Sequence, residues 1–504
     1  MKKRSGTKMD QAESMVRAER KPFACDGAES LLLPFAFGMG YLFIRFLLNV
    51  GSGLAVVFFM TGVYVTTAVY MRTAKIKPVW SGVTLAWTAL TALLTIPFAL
   101  FDGRDGRMLP VLLCLMCAAA VQLYSMLGCR TRGFTEEAYL DWANAVVVTP
   151  FTNLGASWQT VGAVVKRGKG RTALGAFVGF LIGLPVLVVL TLLLSSADTA
   201  FEGFLNRFSI DFIYQIDNEI GRLIGGIPFA MMAFGILYGC RRKKSIAKVK
   251  APGVDKTRRI PASAAYGVLI PIVLLYVVYL VTQMAYFFSG FAGLLPTGYT
   301  YAEYARRGFF ELCMVCVINL GIIVLILAFM KLKSGIGKGF CTFFAMFSLV
   351  LTGTAVSKMV LYVNTYGLTP LRAQTMWFML ALGVTFVYIL ARLYIRRFPF
   401  VRTLAVTAAA MLLVFAYTDA DAMSVSYNLR AIEEGRIAED RPGMTFAGFS
   451  GTELSQMSDG IEPYLREHTA NPLADAMITS RKESESAYRE SILYWNLATE
   501  RAKG

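Results

Sequence analysis

Eleven runs of apolar residues, most of them close to twenty long, recur along this chain, and no other feature constrains its fold as tightly. They lie near 31–50, 54–71, 80–100, 109–127, 173–195, 223–240, 265–288, 309–330, 341–363, 376–391 and 403–418. A helix of about twenty residues crosses the roughly 30 Å hydrocarbon core of a bilayer. In that solvent every backbone N–H and C=O must be satisfied within the segment, which a helix achieves. With 56% of residues hydrophobic and only 16% charged, the chain carries more apolar surface than a water-soluble core absorbs. The expected fold class is all-α: a polytopic transmembrane helical bundle of about eleven helices with a small C-terminal helical tail. This divides the chain into a basic N-terminal segment 1–30, a membrane domain 31–418 and the tail 419–504.

The formal charge of +17 raises the question of nucleic acid, and the placement of the charges answers it. Lysine and arginine sit beside the apolar runs, not in an arm or finger, so no nucleic-acid partner is expected. With the N-terminus inside, the proposed inner segments hold 32 of the 50 basic residues and the short outer loops hold 7. The remainder lie in the tail, or within spans at Arg45 and Lys358. An odd number of spans then puts the C-terminal tail outside. The run after residue 30 lacks a cleavage site of small residues and reads as a retained signal anchor. The basic loop 241–260 is the expected contact for a membrane or cytoplasmic protein partner, and the bilayer itself is the other partner.

Catalytic chemistry finds little to work with. The one histidine, His468, lies in the tail beside Glu467 and reads as a surface residue. The pairs Cys114/Cys117 and Cys313/Cys316 have C-x-x-C spacing, but within apolar helices they read as packing residues, not ligands. Gly335-Ile336-Gly337-Lys338 and Gly168-Lys169-Gly170 imitate phosphate loops without completing one. No cofactor, metal or enzymatic activity is expected.

Two connections are long enough for structure of their own. Residues 128–172 open an amphipathic stretch at Glu136-Glu137, with Trp142, Phe151 and Trp158 suited to a membrane interface. The acidic segment 196–222 alternates carboxylates with Phe and Ile and is expected to lie along the surface as a loop. In the tail, helical runs are expected near 422–438, 453–467 and 473–500, starting at Thr452 and at Asn471-Pro472. Trp495 and Tyr494 are expected to pack the last of them.

Ionisable residues inside spans are costly and mark sites or pairs. Arg45, Gln283, Glu311 and Lys358 fall in the outer third of their runs, and Asp198 closes another there. They read either as side chains snorkelling to the interface or as a polar chamber open outward, suited to a small anion, a lipid headgroup or a peptide. Asn319, deeper in its run, reads as an interhelical hydrogen bond.

Two segments carry a family resemblance: Gly298-Tyr299-Thr300-Tyr301-Ala302-Glu303-Tyr304-Ala305-Arg306-Arg307-Gly308-Phe309-Phe310-Glu311, and Tyr366-Gly367-Leu368-Thr369-Pro370-Leu371-Arg372. Ser195-Ser196-Ala197-Asp198 and Tyr427-Asn428 are weaker echoes. Through them the chain resembles a bacterial multi-pass family, domain of unknown function 4173, and its relative 4153, departing from the pattern at Pro370 and Lys358. The resemblance implies a bacterial cytoplasmic-membrane protein and brings no catalytic residues. Both segments fall on the outer side, so Glu303, Arg306, Arg307 and Arg372 join Arg45, Asp198, Gln283, Glu311 and Lys358 in a candidate outer polar cluster. The expected function is a non-enzymatic sensor or binding and signalling component, with a transporter or lipid translocase as the alternative.

Overall fold

The structure, a computed structural model, describes residues 25–48, 53–101, 108–130, 135–166, 210–243, 260–291, 309–330, 334–437 and 446–488. In chain order the helices are α1 (Gly27–Leu42), continued by a π-helical turn Phe43–Leu48; α2 (Leu54–Thr73); α3 (Gly82–Leu100); and α4 (Met108–Met126). Then come α5 (Ala138–Ala143), a second π-helical turn Asn144–Val148, α6 (Thr149–Thr152), α7 (Leu154–Lys166) and α8 (Ile210–Arg242). The series continues with α9 (Ala262–Phe291), α10 (Phe309–Phe329), α11 (Ser334–Tyr366), α12 (Pro370–Tyr394) and α13 (Phe400–Tyr417). It ends with α14 (Ala420–Glu433), α15 (Gly451–Gln456), α16 (Glu462–Glu467) and α17 (Pro472–Tyr488).

Ten of these helices are long and apolar enough to cross a membrane. They correspond to ten of the eleven apolar runs, and the remaining run, 173–195, lies outside the described residues. The protein is an all-helical multi-pass membrane protein. The segment expected as an acidic surface loop is different from residue 210 onward: Ile210 begins α8, which runs unbroken for 33 residues. The Asp/Phe/Ile alternation there serves a helix that extends beyond the apolar run.

The chain forms two compact units. One comprises Met1–Arg45, Gly62–Pro78 and Val147–Lys244; the other comprises Phe46–Thr61, Val79–Val146 and Ser245–Gly504.

In the first unit α8 packs along α1 and against α6 and α7. Glycines permit the approach: a Cβ at Gly226 would stand 2.5 Å from the Gly40 carbonyl carbon, and one at Gly235 would stand 2.8 Å from the Pro150 oxygen. Where lipid tails are as apolar as leucine, such close backbone packing supplies what the hydrophobic effect does not. Phe43 and Phe229 stack at 4.0 Å just beyond the Gly40–Gly226 contact.

In the second unit α10, α11 and α12 pack side by side, with α9 against α11, around Phe344, Ala345, Leu351, Met379 and Phe386. Asn319 of α10 is fully buried there; its amide donates to Ser348 Oγ on α11 at 2.9 Å and its oxygen accepts from the Tyr276 hydroxyl on α9 at 2.9 Å. The interhelical role expected for it is met. Asn319→Leu should therefore cost about 0.6–1.7 kcal/mol, the range of single interhelical hydrogen bonds in a membrane, as read by unfolding in bicelles. Cys313 and Cys316 pack in the same layer, Cys313 Sγ 3.0 Å from Met379 Sδ and Cys316 Sγ 3.7 Å from the Ser348 carbonyl. A second hairpin, α3 and α4, is tied by Gln122, which accepts from Thr91 Oγ1 and donates to Thr88 Oγ1, both at 2.9 Å. Trp142 meets Trp87 of α3 edge to face at 5.9 Å.

Helices α14 to α17 of this unit gather around Val425, Phe449, Leu454, Ile461 and Leu465. Their starts differ in detail from the sequence expectation. The α15 N-cap is Ser450, two residues before Thr452, because Ser450 and Glu453 form a reciprocal capping box. Asn471 accepts from Leu473 N at 3.0 Å and Pro472 opens α17, as the dipeptide suggested. His468 is half-buried, not a free surface residue: its Nδ1 lies 2.9 Å from the Tyr464 carbonyl and its ring meets Phe446 at 5.8 Å. Tyr494 and Trp495 lie outside the described residues.

Candidate functional site

Two polar constellations stand out, one in each unit.

The first is an ionic clasp. Asp26 caps α1, accepting from Ala28 N, while Glu29 three residues on accepts from Asp26 N at 2.9 Å. Two carboxylates on the first turn favour the positive end of the helix dipole. Arg241 and Arg242, in the last turn of α8, reach the same pair. Arg241 Nη2 is 2.5 Å from Asp26 Oδ2 and its Nη1 is 2.7 Å from Glu29 Oε1. Arg242 Nη2 lies 2.9 Å from Glu29 Oε1 and 3.4 Å from Asp26 Oδ2. Glu29 is wholly buried, and the Tyr70 ring of α2 stands 5.9 Å from the Arg241 guanidinium carbon. The Arg241 side chain hydrogen-bonded to Asp26 holds that carboxyl well below the usual carboxylate range. Sequence reasoning passed over this group, although the signal was there: Asp-x-x-Glu immediately before an apolar run is a capping box. Arg241 and Arg242, read as the start of a partner-binding basic loop, are engaged within the protein; residues 244–259 of that loop lie outside the described set.

The second constellation joins the α11–α12 turn to the C-terminal helices. α11 ends at Gly367, whose φ of +84° is the left-handed conformation that glycine adopts without strain. Thr369 caps α12 through the Arg372 N–H, with Pro370 at the first helical position. The Arg372 guanidinium donates back to the Tyr366 carbonyl at 3.3 Å and to the Gly367 carbonyl, so it neutralises the negative end of α11. It also stacks 4.1 Å from the Tyr362 ring. Onto this turn α14 sets Asn428, which is 2% exposed. Its oxygen accepts from Leu368 N at 2.6 Å, and its amide donates to the Leu368 carbonyl at 3.0 Å and the Ala447 carbonyl at 2.9 Å. One side chain thus pairs with both backbone groups of Leu368 as a neighbouring strand would. Beside it the Tyr427 hydroxyl donates to Asn364 Oδ1 at 3.2 Å and accepts from Arg436 at 3.2 Å. That bond to Tyr427 raises the Arg436 pKa.

The expected outer polar cluster is only partly placed. Asp198, Glu303, Arg306 and Arg307 lie outside the described residues, and Gln283 lies in α9 with its side chain outside them. Arg45 is exposed in the π-helical turn of the first unit and donates to the Tyr41 hydroxyl at 2.6 Å. Glu311, in the first turn of α10, is exposed; Lys358 of α11 is half-buried; both belong to the second unit. Arg372 is engaged at a helix end, its guanidinium donating to the last carbonyls of α11. The structure brings together Arg372 and Tyr427-Asn428, two segments separated by over fifty residues in the chain.

A family model described as a domain of unknown function, DUF4153, matches residues 58–444. The chain belongs to this family. For this DUF4153 protein the match covers the whole α11–α12 turn and both Asn428 and Arg436, and it starts before Tyr70 and ends beyond Arg242. Of the two related families suggested by the motifs, 4153 is the one shown. No curated protein and no solved structure matches the chain.

Proposed function

We propose that this DUF4153 protein is a non-enzymatic sensor or signalling component of the bacterial cytoplasmic membrane. Its C-terminal helices stand outside the cell and report on what they bind through the α11–α12 turn. The observation that carries the reading is Asn428: a buried side chain of the C-terminal helices reads the backbone of the turn joining two membrane helices, so displacing those helices must disturb α11 and α12 together. The neighbouring surface of Asn364, Tyr427 and Arg436 offers hydrogen-bonding and cationic groups to a polar or anionic ligand. The outward orientation rests on the distribution of lysine and arginine.

A deletion strain complemented with Asn428→Ala should lose function while the protein stays in the membrane at wild-type level, and Asn319→Leu should complement. Full complementation by Asn428→Ala would sink the reading. In parallel, a cysteine placed at the exposed Ser455 should react with a membrane-impermeant maleimide in intact cells; reaction only after lysis would reverse the orientation.

A further inference from the structure

The end of the second unit formed by the turn between α12 and α13 carries arginines whose side chains have no acidic partner among the described residues. Arg396 and Arg397 sit in the turn and Arg402 in the first turn of α13; all three are exposed, and their guanidinium groups make no hydrogen bond or ion pair within the described protein, while the Arg396 carbonyl accepts from Arg392 Nη1 at 3.4 Å. Residues 312–418 contain no aspartate or glutamate at all, so the sequence supplies no local counter-charge. Among the described residues Glu136 reaches only Arg392, its Oε2 3.9 Å from Arg392 Nε, a contact between two half-exposed side chains. α13 adds to the imbalance. Its N-cap is Pro399, without a side-chain acceptor, so the positive end of the helix dipole faces the same cations.

Depth decides the partner. α12 and α13 are both candidate spans, and only residues 395–399 separate them. Arginines on so short a turn cannot rise far from the bilayer surface, whichever side it is. The apolar neighbours agree: Tyr394 is 62% exposed and Ile395 56% exposed at the end of α12, and Lys338 of α11 lies 3.9 Å over the Tyr394 ring. An exposed aromatic ring flanked by cations fits the layer where acyl chains meet headgroups.

We propose that this turn is a docking surface for anionic phospholipid, with Arg396, Arg397 and Arg402 holding headgroup phosphates. Guanidinium forks match phosphate oxygens bidentately, and basic groups at the membrane plane attract anionic lipid.

The test uses the full-length protein in mixed micelles and nanodiscs, with phosphatidylglycerol against phosphatidylcholine. The wild type should retain phosphatidylglycerol preferentially in native mass spectrometry. The triple variant Arg396→Gln, Arg397→Gln, Arg402→Gln should lose roughly fivefold in that preference per arginine, on the order of 100-fold in all. The triple lysine variant keeps the charge and should keep most of the preference, which covers the case in which the glutamine variant fails to fold. Arg430→Gln, an exposed arginine of α14 with no part in either site, should change nothing. An unchanged preference in the glutamine variant, or none in the wild type, would overturn the assignment. So would displacement of the retained lipid by millimolar inorganic phosphate, which would indicate a site for free anions.

Discussion

Removing both arginines of the ionic clasp, Arg241→Ala with Arg242→Ala, is expected to cost about 3–5 kcal/mol. Glu29 has no exposure, so without its partners its charge stays in a dry pocket and its carboxylate loses the bonds at 2.7 and 2.9 Å. The opposite deletion is milder. In Glu29→Ala the guanidiniums, whose side chains keep 17% and 25% exposure, can turn toward water or toward Asp26. Arg241→Ala alone falls between the two, because Arg242 still meets Glu29. Replacing Glu29, Arg241 and Arg242 together by leucine and methionine should recover much of the loss, since apolar packing avoids the desolvation that an ion pair only repays. Unfolding in bicelles gives the ranking, and a Glu29→Ala variant less stable than the double arginine variant would refute it. The pH dependence has a definite sign. Asp26 is lowered by Arg241, so its contribution is complete above the ordinary carboxylate range and disappears only as pH falls through the depressed value. From pH 8 down to pH 5 the clasp should not weaken through Asp26.

The fold was legible in the sequence because lipid imposes a simple length rule, and ten apolar runs became ten spans within a few residues of the expected places. Errors arose where a helix outlasts its apolar run. Nothing in the hydropathy of 210–222 or of 364–366 distinguishes a helix extending beyond the lipid from a loop. The clasp was missed for a related reason: Asp26 and Glu29 were counted with a basic N-terminal segment, and their capping pattern was overlooked beside the net charge. Asn428 could not have been found by spacing. Its partner is a backbone turn sixty residues earlier, and a side chain that binds main-chain atoms leaves no complementary residue type to search for. The family resemblance carries both Tyr366 to Arg372 and Tyr427-Asn428, but nothing in it places the two segments side by side. Arg372 could not be assigned from its position alone, because a span-end arginine serves a helix C-terminus as well as it serves a ligand.

Asn428→Ala is expected to release the C-terminal helices from the α11–α12 turn. The substitution leaves the Leu368 N–H and the carbonyls of Leu368 and Ala447 without their partner at a site that is 2% exposed in the wild type. Unsatisfied buried groups cost about 1–3 kcal/mol each. A total near 3 kcal/mol would raise the open population on the order of 100-fold, and with it the rate of trypsin cleavage at Arg430 and Arg436 when reclosing outpaces cutting. Gly367→Ala should act on the same joint by a different route. A Cβ there would stand 2.7 Å from Asn428 Oδ1, and the φ of +84° adds about 1–2 kcal/mol of strain for a residue with a side chain. The two substitutions should not add. With Asn428 already truncated the steric part vanishes and only the strain remains, so Gly367→Ala costs less in the Asn428→Ala background than in the wild type. Strict additivity of the two effects in the logarithm of the proteolysis rate would mean that the Gly367–Asn428 contact is incidental and that the C-terminal helices are held to the turn by other means.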